Sequence, residues 1–315
     1  MQSRIGGRPF VSLPNGARVL VTGATGMIGR QVLSLLDDRV EAYAVSRSRK
    51  SSDDRVNWLT CDLTEPGSAR NLIQSIEPAV VLHLAGAVRG DRSLAAVYPT
   101  LTANLVATVE LLEAATRAQV ERIVVSGSLL EEPRGEGATV VPPSPYGASR
   151  WASTSYARMF HLVFDAPVTI LRPSYAYGPG QDLTKLLPHV ISTLLRGERP
   201  ELASGERRID FVFAEDVGRA YVAAATAPAV EGETIDIGSG VMTRTRDFVA
   251  AAVDMLGQDC PRPIFGALAD RPFEQEIHVD TEPAARLLGW TASTSLDEGL
   301  RKTVPWYVRH VQASA

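Results

Sequence analysis

Three polar side chains in the middle of the chain have the types and spacing needed for proton transfer at an oxygen atom. Tyr146 and Arg150 are four residues apart, which places them on one face of a helix, one turn from each other. A phenol stays protonated at neutral pH unless a nearby cation favours its phenolate, and the guanidinium of Arg150 supplies that charge. Ser128 follows an apolar run and offers a hydroxyl, although an ordinary strand end would also fit. Together they are candidates for moving a proton, a task that a tyrosine at its ordinary pKa performs poorly without a cation beside it.

A second group of residues, near the start of the chain, is suited to hold a dinucleotide. Val19–Val21 is apolar, as in a buried parallel strand, and glycines follow at intervals of three before a predicted helix at Ile28–Leu36. Such a turn lets a pyrophosphate approach the backbone and a helix N-terminus, although glycines after a strand also serve plain turns. The cofactor contacts expected from this turn come from Gly23, Thr25, Gly26, Met27, Ile28 and Gly29.

The residues after the next two predicted strands bear on which dinucleotide binds. An acid after the second strand accepts hydrogen bonds from the ribose hydroxyls of NAD, whereas the 2′-phosphate of NADP favours arginine. Ser46 and Arg47 stand there, so we expect NADP(H), with a solvated basic loop as the alternative. Asp62, with Leu63 beside it, is placed to accept from the adenine amino group or simply to stabilise a turn.

The composition limits the classes of protein to which the chain can belong. A net charge of −4 argues against a basic surface for nucleic acid or anionic membranes. Two cysteines are too few for a disulfide framework and suggest a reducing compartment, and we see no signal peptide. The alanine- and valine-rich stretch Ala220–Val230 is too short to span a bilayer. The five histidines show no metal-ligand spacing, so we expect no metal site. From the charge, the cysteines and the lack of a spanning segment, we expect a cytoplasmic protein with no nucleic acid or membrane partner.

Predicted strands and helices alternate along the first half of the chain. Apolar runs predict strands at Val19–Val21, Val40–Val45, Val56–Leu59, Ala79–Leu84, Arg122–Ser126 and Val168–Arg172. Between them, helices are predicted at Ala69–Ile76, Leu101–Ala118 and Tyr146–Phe164. This alternation predicts an α/β fold, a doubly wound parallel Rossmann sheet with a smaller C-terminal α/β substrate lobe.

The second half of the chain is less regular. Pro173–Asp182 is predicted to be a loop, Ile209–Phe213 a strand, and helices are expected at Thr184–Gly197, Glu215–Ala227, Thr245–Leu256, Pro283–Leu288 and Leu296–Val308. We expect a flexible lead-in over residues 1–16, a dinucleotide-binding domain over 17–172 and a substrate-binding lobe over 173–315, partly interleaved with the sheet. With no polar linker between the halves, a substrate cleft is expected at their seam.

With the glycine turn and the Tyr146–Arg150 pair, further motifs give the chain a family resemblance over about Gly16–Val308. It resembles the extended short-chain dehydrogenase/reductases, in particular the nucleotide-sugar-modifying, NAD-dependent epimerase/dehydratase-like group, and within it the NDP-4-keto-6-deoxyhexose ketoreductases. The motifs are Leu82-His83-Leu84-Ala85, Asn104, Ser144-Pro145-Tyr146, Leu171-Arg172-Pro173, Tyr177-Gly178-Pro179, Asp210-Phe211-Val212, Asp216-Val217 and Leu287-Leu288-Gly289-Trp290.

The resemblance implies roles for individual residues. Besides the glycine turn, it implies cofactor contacts from Leu84, Ala85, Gly86, Asn104, Ser126, Tyr146, Arg150 and Pro173. It implies substrate contacts from Val88, Ser128, Tyr175, Leu187, Arg208 and Arg271, with surface or aspartate-paired roles open for the arginines. The chain departs from the family at three of these places: Arg150 replaces a lysine, Tyr175 replaces an asparagine, and Ile209 occupies the position of an arginine that Arg208 only neighbours.

The resemblance also implies a reaction. Ser128 would hold a substrate carbonyl while Tyr146 protonates the forming alkoxide, with Arg150 in place of the usual lysine. Dehydratases of the family carry an acid one or two positions after the catalytic serine or threonine, where this chain has Leu129 and Leu130. Arg47 argues against the tightly bound NAD of epimerases. We therefore expect NADPH-dependent reduction of a nucleotide-linked, dTDP-type 4-keto-6-deoxy sugar. A nucleotide-sugar epimerase with tightly bound NAD and a non-catalytic NADP-binding protein are the alternatives.

Two further expectations concern packing. In the family, the helices corresponding to Leu101–Ala118 and Tyr146–Phe164 form a dimer interface, so we expect a homodimer through them. His83 lies inside an apolar strand, and we expect it to be a hydrogen-bonded core residue, not a ligand.

Overall fold

The computed structural model describes residues 13–52, 55–88, 90–131, 142–257, 260–271 and 276–312. Residues 1–12 of the expected lead-in lie outside this part of the chain. So do residues 132–141, between Ser128 and Tyr146, and residues 272–275, which follow Arg271.

The described residues form short strands and mostly longer helices. The strands are Arg18–Thr22 (β1), Glu41–Ser46 (β2), Val56–Thr60 (β3), Val80–His83 (β4), Arg122–Ser126 (β5), Val168–Pro173 (β6), Tyr175–Tyr177 (β7), Glu201–Leu202 (β8), Arg208–Phe213 (β9), Thr234–Ile237 (β10), Met242–Arg244 (β11) and Ile264–Phe265 (β12). The α-helices are Met27–Leu35 (α1), Ser68–Ile76 (α2), Val97–Thr100 (α3), Ala107–Arg117 (α4), Pro145–Phe164 (α5), Leu186–Leu195 (α6), Ala214–Thr226 (α7), Thr245–Asp254 (α8), Glu282–Leu288 (α9) and Leu296–Gln312 (α10).

The main sheet confirms the predicted α/β fold. Within the described chain it has seven strands in the order β10-β6-β5-β4-β1-β2-β3, and every neighbouring pair is parallel. The central strands are almost fully buried, as their continuous apolar runs predict. The strand order changes direction between β1 and β4, and at such a point parallel sheets bind ligands beyond the strands' carboxyl ends.

The edge strand β10 is missing from the sequence-based prediction, which gives six strands for the first half of the chain. Its residues, Thr-Ile-Asp-Ile, alternate as in a half-buried strand, but the run is only four residues long and is not one of the apolar runs on which the prediction depends. The strand forms because it pairs with β6, and the carboxylate of Asp236 accepts a hydrogen bond from Arg172 Nε at 2.6 Å. The prediction of a loop over Pro173–Asp182 is also wrong in part, because β7 lies within it. The short strands β8, β11 and β12 are likewise absent from the prediction.

The chain divides into two compact units. The first contains the residues up to Pro173 together with Gly218–Ile237 and Glu282–Trp290, and it holds the main sheet. The second contains Ser174–Val217, Gly238–Thr281 and the residues from Thr291 onwards. Its described part has a three-stranded sheet in the order β11-β9-β7, whose core includes the stacked rings of Phe211 and Phe248, 3.9 Å apart.

Helices α3 and α4 belong to one continuous helical segment, Leu94–Arg117. It starts with one 3₁₀ turn, Leu94–Ala96, and contains a π-helical stretch, Leu101–Val106, between α3 and α4. In the described part of the chain it is the one helix long and apolar enough to cross a membrane, judged by length and composition alone. The sequence-based prediction considers only Ala220–Val230 in this respect. The segment packs against α5 in the first unit.

Candidate active site

The glycine turn is packed directly onto the end of β4. A Cβ on Gly23 would lie 2.6 Å from the backbone nitrogen of Ala85 and 2.8 Å from the carbonyl oxygen of Leu84. A Cβ on Gly29 would overlap the carbonyl oxygen of Gly23. Helix α1 begins after Gly26 with no side-chain cap and no acid in its first turn, so its first N–H groups lack a side-chain acceptor. The turn therefore leaves backbone N–H groups open to the approach of a pyrophosphate, and the residues predicted to contact it remain a prediction.

Arg47 and Asp62 lie at the ends of the paired strands β2 and β3. Arg47 is exposed, whereas Ser46 is buried and its Oγ accepts the backbone N–H of Ser48 at 3.2 Å. Asp62 Oδ1 accepts the backbone N–H and the hydroxyl of Thr64, at 2.9 and 2.7 Å. These bonds lower the pKa of Asp62, and the charge of Arg47 adds to them. One carboxylate oxygen of Asp62 thus stabilises a turn, the alternative role named above. The side chain of Leu63 is buried.

Ser128 lies just beyond the end of β5 and is nearly buried. Its Oγ accepts the backbone N–H of Leu130 at 3.2 Å, which leaves the hydroxyl hydrogen for another acceptor. The backbone N–H of Ser128 donates to Glu131 Oε2 at 2.8 Å. The loop therefore presents the Ser128 hydroxyl as a donor.

Tyr146 lies in the first turn of α5, and its position is fixed by the start of that helix. Ser144 is the N-cap, its Oγ accepts the Gly147 N–H at 3.0 Å, and Pro145 occupies the first helical position. One turn later, the guanidinium carbon of Arg150 lies 5.8 Å from the centre of the Tyr146 ring. Both side chains are buried, with 9% and 2% of their surface exposed. The expected tyrosine–cation pair is thus formed inside the protein.

Arg150 is anchored to the end of β5. Its Nη1 donates to the backbone carbonyl of Ser126 at 2.8 Å, while its Nε is buried and has no hydrogen-bond partner among the described residues. An orphaned buried donor at this place fits a site that takes a polar ligand. The Ser126 hydroxyl hydrogen-bonds to the phenol of Tyr221, 2.5 Å away. Tyr221 is fully buried, and this burial raises the pKa of its phenol above the ordinary range.

Asn104 joins the loop after β4 to α5. It lies in the π-helical stretch, a conformation common at functional sites. Its Oδ1 accepts the Ala87 N–H at 2.7 Å, and its Nδ2 donates to Ser149 Oγ at 2.9 Å and to the Ala87 carbonyl at 3.2 Å. The side chain thereby holds the loop that carries Gly86 against α5.

His83 is a hydrogen-bonded core residue, as predicted. Its ring lies between the hydroxyls of Thr22 and Thr108, at 2.8 and 3.0 Å. The Thr108 hydroxyl donates to the Asn104 carbonyl, so it accepts from His83 Nε2, and Nδ1 accepts from Thr22. Burial, together with the charge of Arg150, lowers the pKa of His83 to about 3, which keeps it neutral. Among the described residues, no group of three or more His, Cys, Asp or Glu side chains could hold a metal ion.

Three residues near the candidate site are absent from the sequence-based prediction of site residues. Glu131 is fully buried; besides the Ser128 N–H, its carboxylate faces Arg172, with 3.9 Å between Oε1 and Nη1. Burial raises the pKa of Glu131 to about 7. Tyr221 is 95 residues from its partner Ser126, and Arg172 is 64 residues from Asp236. No local pattern signals such pairs, although Arg172 belongs to one of the motifs that carry the family resemblance.

The remaining expected substrate residues lie mostly in the second unit. Tyr175 accepts a hydrogen bond from Arg207 Nη2 at 2.7 Å, and Arg208 is exposed with its backbone N–H bonded to Glu276. Leu187 is buried in the core of that unit, and Arg271 is exposed. Burial lowers the pKa of Lys185, and the positive charge of Arg271 contributes. In the first unit, Val88 is exposed, and the Pro173 carbonyl accepts the Leu129 N–H at 3.5 Å.

A parallel α/β sheet with a glycine turn at its switch point is the architecture of Rossmann-type dinucleotide-binding proteins. Comparison with known proteins identifies the family within this class. The sequence pattern of the NAD dependent epimerase/dehydratase family matches residues 19–238. The chain therefore belongs to the NAD-dependent epimerase/dehydratase family, as its sequence motifs predict.

Similar proteins cover the chain almost completely. It is 30% identical to UDP-glucose 4-epimerase of Mycolicibacterium smegmatis over 92% of its own length and 98% of that protein. It is 27% identical to dTDP-glucose 4,6-dehydratase 1 of Escherichia coli over 94% of each chain. Among solved structures, MoeE5 in complex with UDP-glucuronic acid and NAD is 29% identical, with a TM-score of 0.82 over 93% of this chain and 100% of that one.

Proposed function

We propose that this protein is an NAD-dependent epimerase of a nucleotide-linked sugar. The buried Tyr146–Arg150 pair beside the end of β5 is the structural observation that carries the proposal. The chain is similar to a UDP-glucose 4-epimerase and to MoeE5, a protein solved with a UDP-sugar and NAD. These similarities favour epimerisation over the NADPH-dependent reduction expected from Arg47.

The protein's part in this reaction is to move one proton at one sugar oxygen. When bound, a nicotinamide dinucleotide supplies the hydride acceptor and donor that oxidation and re-reduction of a carbon require. Tyr146 takes the proton from the sugar hydroxyl and later returns it, and the guanidinium of Arg150 lies 5.8 Å from the centre of its ring. The Ser128 hydroxyl donates to the same oxygen, and the Leu130 N–H polarises that hydroxyl by donating to its Oγ.

Reduction with a dissociable NADPH is the second candidate, and Arg47 is the observation that favours it. The guanidinium is exposed at the end of β2, where it suits a 2′-phosphate. Dehydration has less support. Leu129 and Leu130 carry no proton donor, and the next carboxylate, Glu131, is fully buried and bonded to the Ser128 backbone.

The nucleotide end of the substrate is assigned to Arg207 in place of Arg208. Arg207, the residue before β9, places its guanidinium carbon 5.2 Å from the centre of the Tyr175 ring, whereas Arg208, the first residue of β9, is exposed. Tyr175 lies on the Arg207 side: its ring meets Phe211 at 6.4 Å, and its hydroxyl accepts from Arg207. A guanidinium steadied by a phenol is preorganised to bind a diphosphate.

A second copy of the chain is proposed to cover the outer face of the helical segment Leu94–Arg117 and of α5, which pack against each other in the first unit. Several large apolar side chains are exposed on these helices, namely Leu94, Tyr98, Trp151, Tyr156, Leu162, Val163 and Phe164. A homodimer through this face would bury them. The cytoplasmic location expected from the composition stays a prediction.

The cofactor content and the products of the purified protein test the proposal. Dinucleotide released by denaturation is identified, and the native protein is incubated with UDP-glucose and, separately, with NADPH and a dTDP-4-keto-6-deoxy sugar. An epimerase yields NAD on denaturation and forms the C4 epimer with no added cofactor. Isolation without dinucleotide, together with NADPH consumption on the keto sugar, would establish the second candidate instead. Dinucleotide binding with no turnover on any nucleotide sugar would indicate a non-catalytic protein.

A further inference from the structure

Gly86, in the loop after β4, lies against the end of the Arg150 side chain. A Cβ built on Gly86 would stand 3.0 Å from Arg150 Cζ, and nearer to Nη2 than any real Cβ approaches. The same point lies 2.6 Å from Asn104 Oδ1. The guanidinium therefore occupies the space that a side chain at position 86 would need.

The guanidinium has little freedom to move aside. Only 2% of Arg150 is exposed, and its Nη1 is bonded to the Ser126 carbonyl. On the other side, Asn104 is fully buried and holds both Ala87 and Ser149. The groups around this position thus come from the end of β5, the π-helical stretch and the loop after β4.

A lysine would not need this space. Its side chain ends at the position that Cζ has in arginine, so it carries no atom in place of Nη2 and none in place of the Nη1 that binds Ser126. Of the contacts that a Cβ at position 86 would make, a lysine at position 150 removes the tightest one, with Nη2, while the contact with Asn104 Oδ1 is the same in both backgrounds. Glycine at position 86 is therefore matched more closely to arginine than to lysine at position 150.

We propose that Gly86 is a positioning residue for Arg150 and that the two form a matched pair. Without a side chain at position 86, the guanidinium lies close to the Tyr146 ring and the end of β5, where it serves the bound dinucleotide. This inference rests on the proposed function in one respect, namely that Arg150 contributes to dinucleotide binding. It adds that Arg150 does so only while position 86 is glycine.

A double-mutant cycle tests the pair. The wild-type chain, Gly86→Ala, Arg150→Lys and the double variant are compared for melting temperature and for affinity toward NAD and NADPH, measured by calorimetry. The φ of Gly86 is +158°, so alanine also carries a backbone cost, but this cost is the same in both backgrounds and cancels in the cycle. We expect Gly86→Ala to weaken dinucleotide binding about tenfold when Arg150 is present and less than about threefold in the Arg150→Lys background, within the range for contacting residues. Gly86→Ala should also lower the melting temperature more when Arg150 is present than in the Arg150→Lys background.

Equal losses in the two backgrounds would overturn the proposal, and so would a Gly86→Ala chain that fails to fold in both. A Gly86→Ala chain that folds only when combined with Arg150→Lys would support it. Failure of the proposed function is distinguishable, because a wild-type chain that binds neither dinucleotide refutes that function while the melting temperatures still measure the coupling between positions 86 and 150.

Discussion

The backbone N–H of Ser128 donates to the carboxylate of Glu131 at 2.8 Å, in a place that solvent does not reach. A carboxyl group that titrates near neutrality therefore lies directly behind the hydroxyl proposed to hold the substrate oxygen. Burial raises the pKa of Glu131 by more than the Ser128 N–H bond and, to a smaller extent, the charges of Arg172 and Arg150 lower it, so the pKa rises to about 7.

This pair predicts a dependence of stability on pH that Glu131→Gln removes. The folded protein retains a proton on Glu131 that the unfolded chain has lost above its ordinary pKa of 4.5. The free energy of unfolding therefore falls as pH rises from about 4.5 to about 7, and the stability contributed by the raised pKa is fully lost above that range. Between pH 5 and 8, the free energy of unfolding of Glu131→Gln should rise relative to wild type by about 2–3 kcal/mol. Urea titrations at four pH values measure it, with the exposed Glu121→Gln as control. A constant difference between Glu131→Gln and wild type would contradict the account.

Arg47 predicts how the protein distinguishes the two dinucleotides. Because its guanidinium is exposed at the end of β2, it can bind a 2′-phosphate but has no group to meet in NAD. Arg47→Ala should lower NADP affinity about tenfold or more and leave NAD affinity unchanged, as read by calorimetry. Arg49→Ala, an exposed arginine of the same loop, is the matched control. An equal loss for both dinucleotides would remove Arg47 from cofactor selection.

The two adjacent arginines before Ile209 should behave differently. Arg207 is bonded to Tyr175, whereas Arg208 is exposed and bonded to Glu276 through its backbone N–H. Arg207→Ala should raise KM for the nucleotide sugar about tenfold with little change in kcat, since it removes binding shared by ground and transition states. Arg208→Ala should leave both constants near wild type. A larger rise in KM for Arg208→Ala than for Arg207→Ala would assign the nucleotide contact to Arg208, the residue predicted from the sequence.

The exposed apolar face predicts a dimer that one charge can break. Leu162 is 82% exposed in the single chain, and a glutamate there would be buried without a partner in the proposed interface. Light scattering should give a dimer for wild type and a monomer for Leu162→Glu. Leu183→Glu, at an exposed leucine of the second unit, should leave the dimer intact. A monomeric wild-type chain, or one that sediments with membranes, would refute the interface.

The parts of the fold that the sequence predicts are those encoded by contiguous residues. The prediction of β5 matches the observed Arg122–Ser126, and the predicted α5 starts within one residue of the observed helix, because an apolar run and a capped helix start are local signals. The strand β10 is absent from the prediction because it is a four-residue edge strand with two polar positions, and it lacks the continuous apolar run of the buried strands. The π-helical stretch around Asn104 is predicted as ordinary helix, since its apolar spacing looks the same.

The same distinction applies to the candidate site. Tyr146 and Arg150 are predictable because their spacing of four is visible in any helix. The environment of Arg150, built by Ser126, Gly86 and Asn104, depends on three separate segments that meet only in the folded chain. Glu131 is three residues from Ser128, but only its burial shows that its carboxylate faces inward.

The central claim is that the Tyr146 hydroxyl carries the proton in the reaction, and one comparison tests it most directly. Turnover of UDP-glucose is measured for Tyr146→Phe and for Tyr156→Phe, an exposed tyrosine on the same helix, with bound dinucleotide quantified in both. The account predicts a loss of about 10²–10⁴-fold in kcat for Tyr146→Phe with dinucleotide still bound, and no loss for Tyr156→Phe. A Tyr146→Phe protein that turns over its substrate at the wild-type rate would contradict it.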